Sequence, residues 1–130
     1  MTTLNDIMTR DVVTATRDGS VAEVAGAMLK GRFGSVVVME GSVLMGIFTE
    51  RDVLRAAASR TDLNSSPISE WMTNDPVTAS ADMDADEAAE IMMGNGFRHL
   101  PVIDGTAVIG IVSLRDVLRT RIRRSKEPGA

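Results

Sequence analysis

Gly46-Ile47-Phe48-Thr49-Glu50-Arg51-Asp52-Val53-Leu54-Arg55 decides the fold, because the chain says it again as Gly110-Ile111-Val112-Ser113-Leu114-Arg115-Asp116-Val117-Leu118-Arg119. In both copies an apolar run ends at a hydroxyl residue, and three positions later an aspartate opens a segment with helical apolar spacing. The pattern predicts a strand feeding directly into a helix. Thr49 or Ser113 is then the N-cap and Asp52 or Asp116 the third helical residue, a capping box with Asp in place of Glu. Each such cap contributes about 1 kcal/mol. The same geometry also suits a ligand: a helix N-terminus with a hydroxyl, free N–H groups and a nearby guanidinium holds a phosphate. A carboxylate beside it accepts hydrogen bonds from ribose hydroxyls, as the acidic residue of a dinucleotide-binding fold does.

Working outward, the register between the copies is a constant offset of 64, as from Met8 to Met72, and it runs without a gap through Arg55 and Arg119. Met8-Thr9-Arg10-Asp11-Val12-Val13-Thr14-Ala15 lies over Met72-Thr73-Asn74-Asp75-Pro76-Val77-Thr78-Ala79, and Phe33 lies over Phe97. Two copies of so long a period do not make a solenoid, which needs three or more. They predict two half-domains of equivalent geometry, packed face to face.

Within one copy, residues 12–15 read as a short strand ended by the turn Arg17-Asp18-Gly19. Ser20-Val21-Ala22-Glu23 is a full capping box, and Val21, Val24, Ala25, Met28 and Leu29 follow helical spacing to Gly31. In the second copy Asp84 is the cap, Glu87 sits three on, and Ala85, Ala88, Ala89, Met92 and Met93 form the stripe. Methionines at this spacing are core filler, and all of them are read as core. Two apolar runs around Glu40-Gly41-Ser42, and again around Asp104-Gly105, predict hairpins. The helix beginning at Glu50 turns Val53, Leu54 and Ala57 inward. Each copy is thus strand, helix, strand, strand, helix, a mixed α/β unit. The division is 1–58 for the first repeat with its lead-in, 59–67 for a polar linker, 68–122 for the second repeat and 123–130 for a basic tail. Trp71, in the second lead-in, is expected to pack where the two halves meet.

A chain of 130 residues with 44% hydrophobic content can bury one ordinary core, and a net charge of −4 with a pI near 4.9 argues against nucleic acid as the default partner. Without cysteine there is neither a disulfide framework nor a thiolate metal site, and with His99 as the single histidine no His-rich one. No stretch approaches the roughly 18 apolar residues of a membrane span, and no basic-then-apolar leader opens the chain. A cytoplasmic location is expected.

With this element order, Met-Thr-Arg-Asp-Val-Val-Thr at residues 8–14, Gly-Ile-Phe-Thr-Glu-Arg-Asp at 46–52 and Phe-Arg-His-Leu-Pro-Val-Ile-Asp at 97–104, the sequence resembles a tandem cystathionine beta-synthase (CBS) domain pair, a stand-alone Bateman module. The resemblance covers about residues 4–122. It implies two half-domains related by a pseudo-two-fold axis, with two clefts between them that bind adenosine-containing ligands such as AMP, ADP, ATP or S-adenosylmethionine, and pairing into a homodimer. Carried over by motif, the first cleft takes Thr49, Arg51 and Asp52 with Val77, Phe97, Arg98 and His99. The second takes Ser113, Arg115 and Asp116 with Val13, Phe33, Gly34 and Ser35. Asp52 and Asp116 match the ribose position, Thr49 and Ser113 the phosphate-side hydroxyl, and the strand residues the positions that sandwich adenine.

Beside each of these roles stands a plainer one. Asp52 and Asp116 also cap helices, Arg98 and His99 also end a strand, and Arg51 and Arg115 are also ordinary first-turn residues, although a cation there opposes the helix dipole. The basic run Arg119, Arg121, Arg123, Arg124 and Lys126 suits a helix C-terminus. No activated nucleophile, metal cluster or P-loop is present, so no catalytic or metal-ligating residue is assigned and the chain is read as non-enzymatic. Adenine nucleotide enters as regulatory ligand rather than cofactor, with an effector protein as partner. The alternative is a dimeric scaffold with vestigial clefts.

Overall fold

Ser20 starts the first long helix by accepting the Glu23 N–H on its hydroxyl at 3.1 Å, and the side chains of Val21, Val24 and Met28 behind it are buried. The computed structural model describes residues 1–126, with side chains through Arg123. In chain order the elements are α1 (Leu4–Ile7), β1 (Thr14–Ala15), α2 (Val21–Gly31), β2 (Ser35–Glu40), β3 (Val43–Thr49), α3 (Glu50–Ala58), a 3₁₀ turn (Ile68–Glu70), β4 (Thr73–Asn74), β5 (Ala79–Ser80), α4 (Ala85–Asn95), β6 (His99–Asp104), β7 (Ala107–Ser113) and α5 (Leu114–Lys126). The strand, helix, strand, strand, helix order therefore occurs twice.

Two compact units result: Val13–Pro76, and Met1–Val12 together with the chain from Val77 onward. In the first, β1 runs parallel to β2, β2 antiparallel to β3 and β3 antiparallel to β4. The core joins α2 through Val24 and Met28, the sheet through Val36, Val38 and Phe48, and α3 through Ala56. The second unit repeats the pattern with β5 parallel to β6 and β6 antiparallel to β7. Both hairpins close with two residues whose first is a glycine at positive φ, Gly41 at 60° and Gly105 at 61°, and both shift register two pairs before the turn. That turn suits the strand twist and costs a residue with a side chain more.

The lead-ins are exchanged. Leu4 and Met8, which precede the first repeat, are buried in the core built on the second, and Ile68 and Met72 are buried in the core built on the first. Several of the exchanged bonds are matched between the units. The Ala85 N–H donates to the Thr2 carbonyl at 2.8 Å as the Val21 N–H does to Ser66 at 2.9 Å, and Leu4 bonds Met83 at 3.0 Å as Ile68 bonds Gly19 at 2.8 Å. Thr9 bridges Ile111 as Thr73 pairs with Ile47. The cause is close approach at two glycines. A Cβ on Gly46 would lie 2.6 Å from the Thr73 carbonyl oxygen, and one on Gly110 3.2 Å from that of Thr9.

Several local expectations change in three dimensions. Asp84 stands at the N-cap of α4, but its carboxylate makes no capping hydrogen bond, and the Thr2 carbonyl accepts the Ala85 N–H. The strand expected over 12–15 shortens to Thr14–Ala15, since the Val12 N–H turns back to the Arg10 carbonyl at 2.9 Å. On α3 the buried face is Asp52 and Ala56, with Val53 half-buried; Leu54 is 70% exposed and Ala57 is exposed. Drawing Asp52 inward for its cap rotates the helix away from the Leu54 side. Met93 and Leu29 are exposed rather than core. Residues 63–67 are bound to the start of α2, where Leu63 and Ser66 carbonyls accept the Ala22 and Val21 N–H groups, so three of the four orphan donors of that helix end are satisfied. Trp71 lies in the Val13–Pro76 unit, against its core. In the basic run Arg121 donates to Asp86 at 3.0 Å, while the side chains of Arg124 and Lys126 and residues 127–130 lie outside the described residues.

Candidate functional site

β3 ends at Thr49 in extended conformation, φ −126° and ψ 170°, and the next residue begins α3. Asp52 Oδ2 accepts the Thr49 N–H at 2.9 Å and its hydroxyl at 3.2 Å. Ser113 and Asp116 do the same at the β7–α5 junction, at 2.8 and 3.0 Å, and the Asp116 N–H donates back to the Ser113 hydroxyl at 3.2 Å. A third box, Thr3 with Asp6, shows the same Oδ2 contacts at 3.0 and 3.2 Å on the one-turn helix α1. Capping alone thus occupies Oδ2, and any ligand chemistry falls to Oδ1.

The sheets bring further expected residues to these junctions. Ser35 is the cross-strand partner of Thr49, and the Glu50 N–H donates to the Gly34 carbonyl at 3.0 Å. In the other unit His99 is the partner of Ser113, and Leu114 donates to Arg98 at 2.9 Å. Each unit therefore carries half of each expected cleft. Phe33 and Phe97 are half-buried against their own cores, placed alike by bonds from their N–H groups to Met28 and Met92, both 3.1 Å. Val13 and Val77 keep apolar side chains 37% and 46% exposed, which a core role does not explain. Arg51 and Arg115 are exposed on the first turns of their helices. Among the described residues no cluster of three or more His, Cys, Asp or Glu is placed to hold a metal ion, and no helix is long and apolar enough to cross a membrane.

The family model for the CBS domain matches twice, over residues 4–59 and 68–123. The chain belongs to the CBS-domain family. Similar solved structures include the CBS-domain protein ATU1752 from Agrobacterium tumefaciens, 37% identical, with a TM-score of 0.87 over 92% of this chain and 99% of that one. The CBS domain pair of MJ0100, in complex with 5′-methylthioadenosine and S-adenosyl-L-methionine, is 30% identical with a TM-score of 0.83, covering 97% and 98% of the two chains. PAE2072 from Pyrobaculum aerophilum, complexed with AMP, is 26% identical with a TM-score of 0.82, covering 94% and 99%.

The two repeats of this CBS pair differ at one point that the motifs do not reveal. Arg55, a turn beyond Asp52, donates to Asp52 Oδ1 at 2.9 Å and to the Trp71 carbonyl at 3.3 Å, and its guanidinium stands 5.7 Å from the centroid of the Trp71 ring. Trp71 is itself fixed, its indole N–H donating to the Ser66 hydroxyl at 3.0 Å, which donates on to Glu70 at 3.3 Å. By the repeat register Ile7 occupies the Trp71 position in the other unit, and Arg119 that of Arg55. Arg119 is exposed, and among the described residues Asp116 Oδ1 has no hydrogen-bond or ionic partner. An Asp and an Arg three apart on a helix are a visible signal in sequence. The aromatic ring that holds the arginine is not, because it arrives with the exchanged lead-in.

Proposed function

We propose that this CBS pair is a regulatory module that senses an adenosine-containing ligand, AMP, ADP, ATP or S-adenosylmethionine, in clefts formed by the two repeats, and acts in the cytoplasm on an effector protein. The observation that carries this reading is the duplicated hydroxyl–carboxylate box at a strand-to-helix junction, with Oδ2 of each aspartate engaged in capping and Oδ1 outside the cap. The adenosine compounds bound by the similar MJ0100 and PAE2072 proteins support it. Exposed Val77 in the first cleft and exposed Val13 in the second each suit an adenine face.

In this reading Thr49, Arg51 and Asp52 act with Val77, Phe97, Arg98 and His99, and Ser113, Arg115 and Asp116 with Val13, Phe33, Gly34 and Ser35. The first set grips phosphate more tightly. Its second-strand position is Arg98-His99, where the other set has uncharged Gly34-Ser35, and a guanidinium makes bidentate contacts to phosphate. Loss of one charge-assisted contact costs roughly 1.5–3 kcal/mol, about tenfold to a hundredfold in affinity.

Calorimetric titration of AMP, ATP and S-adenosylmethionine into the wild type, Asp52→Ala, Arg98→Ala and Asp116→Ala tests the reading. Nucleotide affinity is expected to fall most in Asp52→Ala and Arg98→Ala. Loss of binding in Asp116→Ala alone reverses the assignment of clefts. If no adenosine ligand binds the wild type, the chain is a dimeric scaffold instead.

A further inference from the structure

A carboxylate offers about four acceptor positions, two on each oxygen. At Asp52, two on Oδ2 are taken by the Thr49 N–H and hydroxyl and one on Oδ1 by Arg55, which leaves one. At Asp116, the Ser113 N–H and hydroxyl take the same two on Oδ2, and among the described residues both positions on Oδ1 remain. A ribose diol brings two hydroxyl donors. Asp116 accommodates both without giving anything up, whereas Asp52 accommodates one unless Arg55 departs.

Departure is opposed by the other contacts of Arg55. The guanidinium is bound at once by the Asp52 carboxylate, the Trp71 carbonyl and the Trp71 ring face, and the indole is anchored through Ser66, a buried residue whose carbonyl caps α2. Arginine over an indole is a favourable cation–π pairing, strongest with tryptophan. Isoleucine at the matching position offers no such face, and Arg119 stays clear of Asp116.

We propose that Arg55, held by Trp71, determines how strictly the Asp52 site reads the sugar: with Arg55 in place Asp52 accepts a single ribose hydroxyl and tolerates a deoxyribose, while Asp116 requires the full diol. This rests on the reading that the two aspartates bind ribose. Arg55 is thus a specificity-determining residue of one site, and the cleft with the stronger phosphate grip has the looser sugar grip.

Adenosine and 2′-deoxyadenosine are the probes, because they differ by one hydroxyl and carry no phosphate to engage Arg98. Calorimetric titration into Asp116→Asn reports the Asp52 site, and into Asp52→Asn the Asp116 site. The Asp116 site is expected to prefer adenosine by about tenfold or more, the value of one hydrogen bond to a charged acceptor, and the Asp52 site by no more than about threefold. In the Asp116→Asn background, Arg55→Gln raises the preference of the Asp52 site to about tenfold. Trp71→Ile, which copies the first lead-in, raises it in the same direction and stands as a second route should the arginine variant misfold. Equal preference at the two sites with Arg55 present, or a preference unchanged by both substitutions, overturns the proposal while leaving ribose binding intact. Absence of adenosine binding by the wild type and by both single variants overturns the ribose reading, and the proposal with it.

Discussion

The guanidinium of Arg55 stands 5.7 Å from the centroid of the Trp71 ring and at the same time bonds Asp52 at 2.9 Å, so a candidate ligand carboxylate is tied to a lead-in segment sixteen residues beyond Arg55. The tie depends on the indole being held in place. Ser66 supplies the hydroxyl that receives the indole N–H at 3.0 Å and is buried.

Ser66→Ala removes that acceptor and is expected to cost about 1 kcal/mol, the net value of a hydrogen bond whose donor is left partly desolvated. Thr2→Ala, at the matching position of the other unit, is expected to cost less, because Ile7 presents no N–H in its side chain. Urea denaturation of the two variants is the measurement. Equal midpoints for Ser66→Ala and the wild type contradict the role given to the hydroxyl.

Arg32 ends α2 in left-handed conformation, φ 59° and ψ 42°, where α4 ends on Gly96 at φ 76°. Only glycine takes that conformation without a steric cost of roughly 1–2 kcal/mol. Arg32→Gly is therefore expected to stabilise the chain by about 1 kcal/mol, read as a rise in thermal midpoint. A fall would mean that the arginine side chain contributes more than its backbone costs.

At Gly46 a Cβ would meet the Thr73 carbonyl oxygen at 2.6 Å and the Met72 sulfur at 2.8 Å, whereas at Gly110 the backbone oxygen of Thr9 is 3.2 Å away and the closest atom is the flexible Met8 side chain. Backbone yields less readily than a methionine. Gly46→Ala is expected to destabilise by about 2–3 kcal/mol, as overpacking does, and Gly110→Ala by less. Chemical denaturation ranks the two; the reverse order would show that the lead-in at Gly46 shifts more easily than the one at Gly110.

Leu29 and Met93 occupy one repeat position and Leu54 and Leu118 another, and all are exposed. Two apolar positions left open in both repeats fit a symmetric contact with a second copy of the chain. The wild type is expected to be a homodimer by light scattering at micromolar concentration, and Leu54→Glu with Leu118→Glu a monomer of unchanged circular dichroism. A monomeric wild type, with and without AMP, removes this prediction.

The amino-acid sequence by itself determined the features that reach three or four residues along the chain or that recur at its period. The boxes at Thr49–Asp52 and Ser113–Asp116, the hairpins on Gly41 and Gly105 and the doubled element order belong here, since a cap or a two-residue turn is decided by its own neighbours. Tertiary structure alone decided which core receives each lead-in, that Ala56 rather than Leu54 is buried on α3, and that Trp71 holds Arg55 in one repeat while among the described residues nothing matches it in the other. Apolar patterning says which side chains leave water but not which surface receives them, because burial is non-directional and favours any apolar partner within reach. Only the fixed approach of Met72-Thr73 to Gly46, and of Met8-Thr9 to Gly110, selects the partner, and that is a matter of shape between segments distant in sequence.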